Sequence, residues 1–142
     1  MFLSPLIRHL HSTKKLSRKV NTQLKQNTVG RLFAVIMVAG KQRKITNEDI
    51  IVLDKPIEAQ TGEKILLNKV LLVGGSDFTL IGRPLLKPNM VKVEATVIEK
   101  PLSHPIVMFW YRRRENFRFF KLRKINYTYL RINDIKLFEL PA

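Results

Sequence analysis

The alternation of apolar and polar positions changes character once along the chain, near residue 30. Before that point Leu3, Leu6, Ile7 and Leu10 recur at helical spacing and define one apolar face. After it the pattern is that of strands. Arg31 to Ala39 is a continuous apolar, β-prone run, which predicts a strand buried on both faces. Gly40 to Lys44 is a basic turn, with Gly40 free to take the positive φ of a tight reversal. Ile45 returns the chain toward the core, and Ile50 to Leu53 is a short strand. Pro56 and the polar run Glu58 to Glu63, containing Gly62, make the next connection. Ile65 to Val73 is an apolar strand closed by Gly74-Gly75-Ser76-Asp77, and Phe78 to Ile81 stops at Gly82-Arg83-Pro84. From 91 to 97 the alternation is clean. Val91, Val93, Ala95 and Val97 face one way and Lys92, Glu94 and Thr96 the other, as in a half-buried antiparallel strand. Pro101 and Pro105 bracket a break, Ile106 to Tyr111 is the next strand, and Tyr127 to Leu140 holds the last one or two.

Short strands divided by turn signals, with no long amphipathic helix after residue 30, predict an all-β fold: a small antiparallel β-barrel or a sandwich. The 142 residues fit one domain plus a tail. The division is an N-terminal extension over 1–30 and a body over 31–142.

Charge changes this picture most. The formal net charge is +15, which favours polyanionic partners. It is unevenly placed. Residues 1–47 carry ten Lys/Arg and no acid, residues 48–99 six and eight, and residues 100–142 ten and three. The excess therefore sits at the two ends of the chain, around a nearly neutral middle. The extension is basic, hydroxyl-rich and acid-free, the composition of a mitochondrial transit peptide. The same composition suits a basic tail that stays on the protein and lies along RNA. No apolar run approaches the ~18 residues of a spanning helix, so no stable membrane insertion is expected.

The stretch Met108 to Lys124 concentrates seven Lys/Arg and six aromatics against the single acid Glu115. We read it as a long hairpin or loop reaching off the body between Ile106–Tyr111 and Tyr127–Ile132. Arg112, Arg113, Arg114, Arg118, Lys121, Arg123 and Lys124 would engage phosphates there, the planar multi-donor head of arginine suiting that role. The competing reading is a solvated hairpin, which leaves the neighbouring aromatics unexplained. Phe119 and Phe120 are expected in the core, while Phe117 fits either core packing or base stacking. Lys41, Gln42, Arg43 and Lys44 form a second, smaller basic patch.

Catalysis finds little support. With no cysteine, thiolate metal sites and cysteine nucleophiles are excluded. His9 and His11 lie in the extension and His104 stands between two prolines, with no second base near it in sequence. Gly74-Gly75 lacks the lysine and helix of a phosphate-cradling loop. The expectation is no enzyme, no cofactor, no metal and no small-molecule substrate.

Four segments carry a family resemblance. Phe33-Ala34-Val35-Ile36 with Gly40-Lys41-Gln42, the strand Val91 to Val97, Tyr111 to Arg118, and Tyr127-Thr128 with Ile132 to Ile135 together resemble the bacterial-type large-subunit ribosomal protein number twenty-one. The match runs in order over about residues 31–138. One departure is at Leu122 to Asn126, where the family's Gly-His-Arg-Gln is replaced although positive charge remains. The resemblance implies a small β-barrel with a protruding basic loop, bound to large-subunit rRNA beside other large-subunit proteins, structural and not catalytic. With the extension it implies a mitochondrial member, in the matrix on the mitoribosome. On that analogy the two basic patches contact RNA backbone. The alternative is a non-ribosomal RNA-binding factor in translation or RNA processing.

Overall fold

Strand-forming residues alternate inward and outward around one apolar core, and the chain builds that core by switching repeatedly between two sheets. The computed structural model describes the backbone of residues 5–140 and the side chains of residues 15–140. The apolar positions Leu3, Leu6, Ile7 and Leu10 therefore lie outside the described side chains. Helix α1 spans Pro5–Lys25. Asn27 and Gly30, both at positive φ, turn the chain from it into the body.

The strands are β1 (Phe33–Val38), β2 (Lys41–Thr46), β3 (Ile50–Leu53), β4 (Lys64–Leu66), β5 (Val70–Gly74), β6 (Thr79–Ile81), β7 (Val91–Glu99), β8 (Ile106–Arg112), β9 (Phe117–Arg123) and β10 (Thr128–Leu137). One four-stranded sheet has the order β2-β1-β5-β6 and the other β3-β10-β7-β4, with β8 and β9 paired only to each other. Ala34, Ile36, Ile45, Val70 and Val73 from the first sheet meet Leu53, Val93, Val97, Leu130 and Ile132 from the second, all almost fully buried. The alternation predicted for 91–97 is present, with Val91, Val93, Ala95 and Val97 facing inward.

Three expectations change. No ladder of backbone hydrogen bonds joins the two four-stranded sheets among the described residues, so the body is an open sandwich and not a closed barrel. The sheets approach at corners. The run read as one strand over Ile65 to Val73 breaks at 67–69, where Leu67 N–H still bonds Val93 of the second sheet and Lys69 C=O accepts from Met37 of the first. That bend splits it into β4 and β5. Strand β1 is fully buried on one face only: Phe33, Val35 and Met37 on its outer face are half-covered, because β1 has strand neighbours on both sides but no third layer above it. Its partner Gly74 leaves room for the Phe33 ring, since a Cβ there would stand 2.4 Å from ring carbons.

Candidate nucleic-acid interface

A two-stranded ribbon with no third strand has no sheet to lean on, and on its own such a unit is marginal in water. Strands β8 and β9 form such a ribbon. Their register places Ile106 opposite Arg123, Met108 opposite Lys121, Trp110 opposite Phe119 and Arg112 opposite Phe117 on one face. Val107 opposite Leu122, Phe109 opposite Phe120 and Tyr111 opposite Arg118 make the other. The faces therefore differ: the first interleaves three cations with its apolar groups, and the second has one. Residues 113–116 turn the ribbon over, with Arg114 and Asn116 at positive φ. Two consecutive arginines, Arg113 and Arg114, thus stand at the tip.

The root of the ribbon is fixed. Ser103 is buried, and its hydroxyl accepts from Ile125 N–H at 2.9 Å and donates to His104 C=O at 2.8 Å. Ser103 N–H bonds Ile125 C=O, and Tyr127 N–H bonds Pro101 C=O, both at 2.9 Å. Immediately beyond, Thr128 is fully buried and donates its hydroxyl to Lys55 C=O.

Beyond the root almost everything is exposed, the aromatics included. Trp110 and Phe120 each keep 64% of their surface, and Phe109, Tyr111, Val107 and Leu122 also lie open. The expectation that Phe119 and Phe120 enter the core is thus corrected: both are exposed, because the ribbon pairs with neither sheet of the sandwich and nothing among the described residues covers them. Phe117 is exposed as well. Local contacts order these side chains. Trp110 and Phe119 meet edge to face with centroids 6.5 Å apart. The Arg112 guanidinium lies 5.7 Å from the Phe117 ring and pairs with Glu115 at 3.2 Å, and Arg118 sits 5.8 Å from the Tyr111 ring. No acidic group among the described residues pairs with Arg113, Arg114, Lys121, Arg123 or Lys124. Cations and uncovered π-faces within one ribbon suit a polyanion that also offers flat bases.

The second patch is more closely tied to the fold. Lys41 pairs with Asp54, and its ammonium hydrogen bond holds that carboxyl below the usual range. Arg43 donates to Val52 C=O at 3.2 Å, and Lys44 stands over the Phe33 ring at 4.8 Å. Gln42 is exposed. Lys41 and Arg43 thus close the corner between β2 and β3, while Gln42 and Lys44 face outward. Because Asp54 adjoins Lys55, whose carbonyl takes the Thr128 hydroxyl at the ribbon root, the Lys41 end of the second patch lies at the same end of the sandwich as the ribbon. The uncovered aromatic surface of β8 escaped sequence reading, since Ile106 to Tyr111 is as apolar as a core strand. Its direct continuation into the arginine run is the signal that could have marked it.

Comparison with known proteins gives the family of the chain. The family described as ribosomal prokaryotic L21 protein matches residues 32–135. The chain is 46% identical over 120 residues to the large ribosomal subunit protein bL21m of Mus musculus, covering 84% of this chain and 57% of that protein. It is 36% identical over 110 residues to bL21m of Arabidopsis thaliana, covering 78% and 40%. Similarity to the large ribosomal subunit protein bL21 of Rhizobium etli (strain CIAT 652) is 33% over 104 residues, covering 73% and 96%. The matched part thus spans about half the length of the first two relatives and nearly all of the bacterial one.

Proposed function

The chain belongs to the ribosomal L21 family, and from that premise we propose that it is a structural constituent of the mitochondrial large ribosomal subunit. In this reading it binds rRNA and contributes to subunit assembly and translation, with neighbouring large-subunit proteins around it and no catalytic step of its own. The bL21m relatives in Mus musculus, Arabidopsis thaliana and Dictyostelium discoideum support a mitoribosomal role, and this reading would put the protein in the matrix.

The observation that carries the proposal is the uncovered ribbon. Its cations, with Lys44 on the outward face of β2, would neutralise phosphates and release counterions, and Gln42 beside Lys44 would donate to them. Phe117 and the other open aromatics would be covered on assembly by bases or by neighbouring chains. The sandwich acts as a mount. Pinning the root through Ser103 reduces the freedom lost when the arginines engage, so more of the contact energy appears as affinity. In this reading the paired strands β8 and β9 would serve as the protruding basic loop that the family resemblance implies.

Sedimentation of tagged protein, with sequencing of the RNA it retains, tests this. The protein should travel with the large subunit through a moderate-salt wash and retain large-subunit rRNA. Release into the light fractions would favour a transient RNA-processing or translation factor.

A further inference from the structure

The second half of α1 is built into the body. Ser17, Val20, Asn21 and Leu24, spaced i, i+3, i+4 and i+7, form its covered side, and Val20 is buried. The Asn21 side chain donates to Leu140 C=O at 2.9 Å and accepts from Leu140 N–H at 2.9 Å, as a paired strand would. Gln23 donates to Asp77 at 3.0 Å, and Lys25 pairs with Glu139 at 3.1 Å. Leu140 is itself buried and, with Val20, Phe78 and Leu80, lines the seam beneath the helix. Asn21 and Leu140 both lie outside residues 32–135, so this clasp of paired bonds joins segments flanking the family's shared region, while Asp77, Phe78 and Leu80 belong to that region.

The opposite side of the same turns carries Lys15, Arg18, Lys19 and Thr22, all exposed. No acid precedes Glu48 in the sequence, and none among the described residues pairs with these three cations. This face stands at the far end of the sandwich from the ribbon. Strand β10 starts beside the ribbon root at Thr128 and ends near the clasp at Leu137. Its ten residues span about 30 Å at about 3.3 Å each.

We infer that α1 from Lys15 onward is a retained part of the working protein, and that Lys15, Arg18 and Lys19 form a second seat for RNA phosphates, at the opposite end from the ribbon. This rests on the ribosomal reading above. RNA is favoured over a lipid surface because a helix lying in a membrane needs a free apolar face, and among the described helix side chains Val20 is buried and Leu24 half-buried, which leaves Leu16 as the one large apolar group exposed. Two seats on one rigid body make the second contact intramolecular once the first has formed, so a folded RNA spanning both is held more tightly than either seat alone would hold it. Any targeting role of the extension then falls on residues before the docked turns.

The test uses the full chain and a transcript of the organelle's large-subunit rRNA, with affinity measured across a salt series. Changing Lys15, Arg18 and Lys19 together to Gln should lower the log-log salt slope by about 2 to 3 units, at about 0.7–0.9 per lost contact. Asn21→Ala keeps the charges but loosens the clasp, and should weaken binding with little change in slope. A wild-type slope in the glutamine variant, alongside a lowered slope in a ribbon-arginine variant, would overturn this inference and leave the ribosomal reading standing. Wild-type slopes in both would remove the ribbon and the helix alike from the RNA interface. Loss of binding to phosphatidylglycerol vesicles, with rRNA binding intact, would reassign the face to a membrane. A mature protein in purified subunits that begins beyond Lys15 would also overturn it.

Discussion

Replacing Arg112, Arg113 and Arg114 together with alanine isolates the electrostatic part of the ribbon's work. All three are exposed at the end of β8 and in the turn, far from the sandwich core, so folding should be little affected: exposed surface changes usually stay within about 0.5 kcal/mol. Arg112 loses its contacts to Glu115 and Phe117, but that pair is itself exposed and contributes at most about 1 kcal/mol. Three lost phosphate contacts, at about 0.7–0.9 each, lower the slope of log affinity against log salt by about 2.1 to 2.7. Between 50 and 200 mM salt, a fourfold change, the gap between parent and variant should therefore shrink by about 20- to 40-fold. Titration of rRNA at four or five salt concentrations reads this directly, with circular dichroism confirming the fold. Parallel lines for parent and variant would show that these arginines meet no phosphate, and the ribbon would drop out of the interface.

Further perturbations probe the mount. Ser103→Ala leaves Ile125 N–H without its buried acceptor, at a cost of about 1–3 kcal/mol, so amide exchange at the ribbon root should quicken roughly five- to hundredfold while the sandwich stays protected. Gly74→Ala drives a Cβ into the Phe33 ring and should lower stability by about 1–3 kcal/mol in denaturant titrations. Asp49, Asp54 and Glu94 all have carboxyl pKa values lowered in the fold, chiefly by hydrogen bonds from Thr46, Lys41 and Lys92 respectively. A lowered folded-state pKa means that the ionised form favours folding. Their contribution is therefore present above the ordinary carboxylate range and lost as acid protonates them below it, so thermal melts should fall between about pH 5 and pH 3. Asp54→Asn should lessen that fall.

Much of this was legible in the chain. The alternation over Val91 to Val97 fixes which face of β7 is buried, because only one pleat side is apolar. The Gly40 reversal and the arginine run are local signals, and the structure has a turn at both. What failed to show was decided by distant partners. Phe119 and Phe120 are as apolar as any core residue, and only the missing layer above the ribbon leaves them open. Closed barrel and open sandwich share one strand pattern, differing only in whether their edges meet. Asn21, a polar residue midway along a basic helix, gives no local sign that it will bind backbone 119 positions away.

That separation has a temporal side. Asn21 is made early and Leu140 late, so this clasp cannot close until the last of the described residues have been made, although Asp77, Phe78 and Leu80 offer the helix earlier contacts. Contacts of such long range close last and add least to early collapse. Through that interval the basic segment lacks its Leu140 partner, is open to whatever machinery handles emerging chains, and gains its full set of contacts only when the sandwich is complete. Its seating would therefore report, on each molecule, that the rest of the work is done.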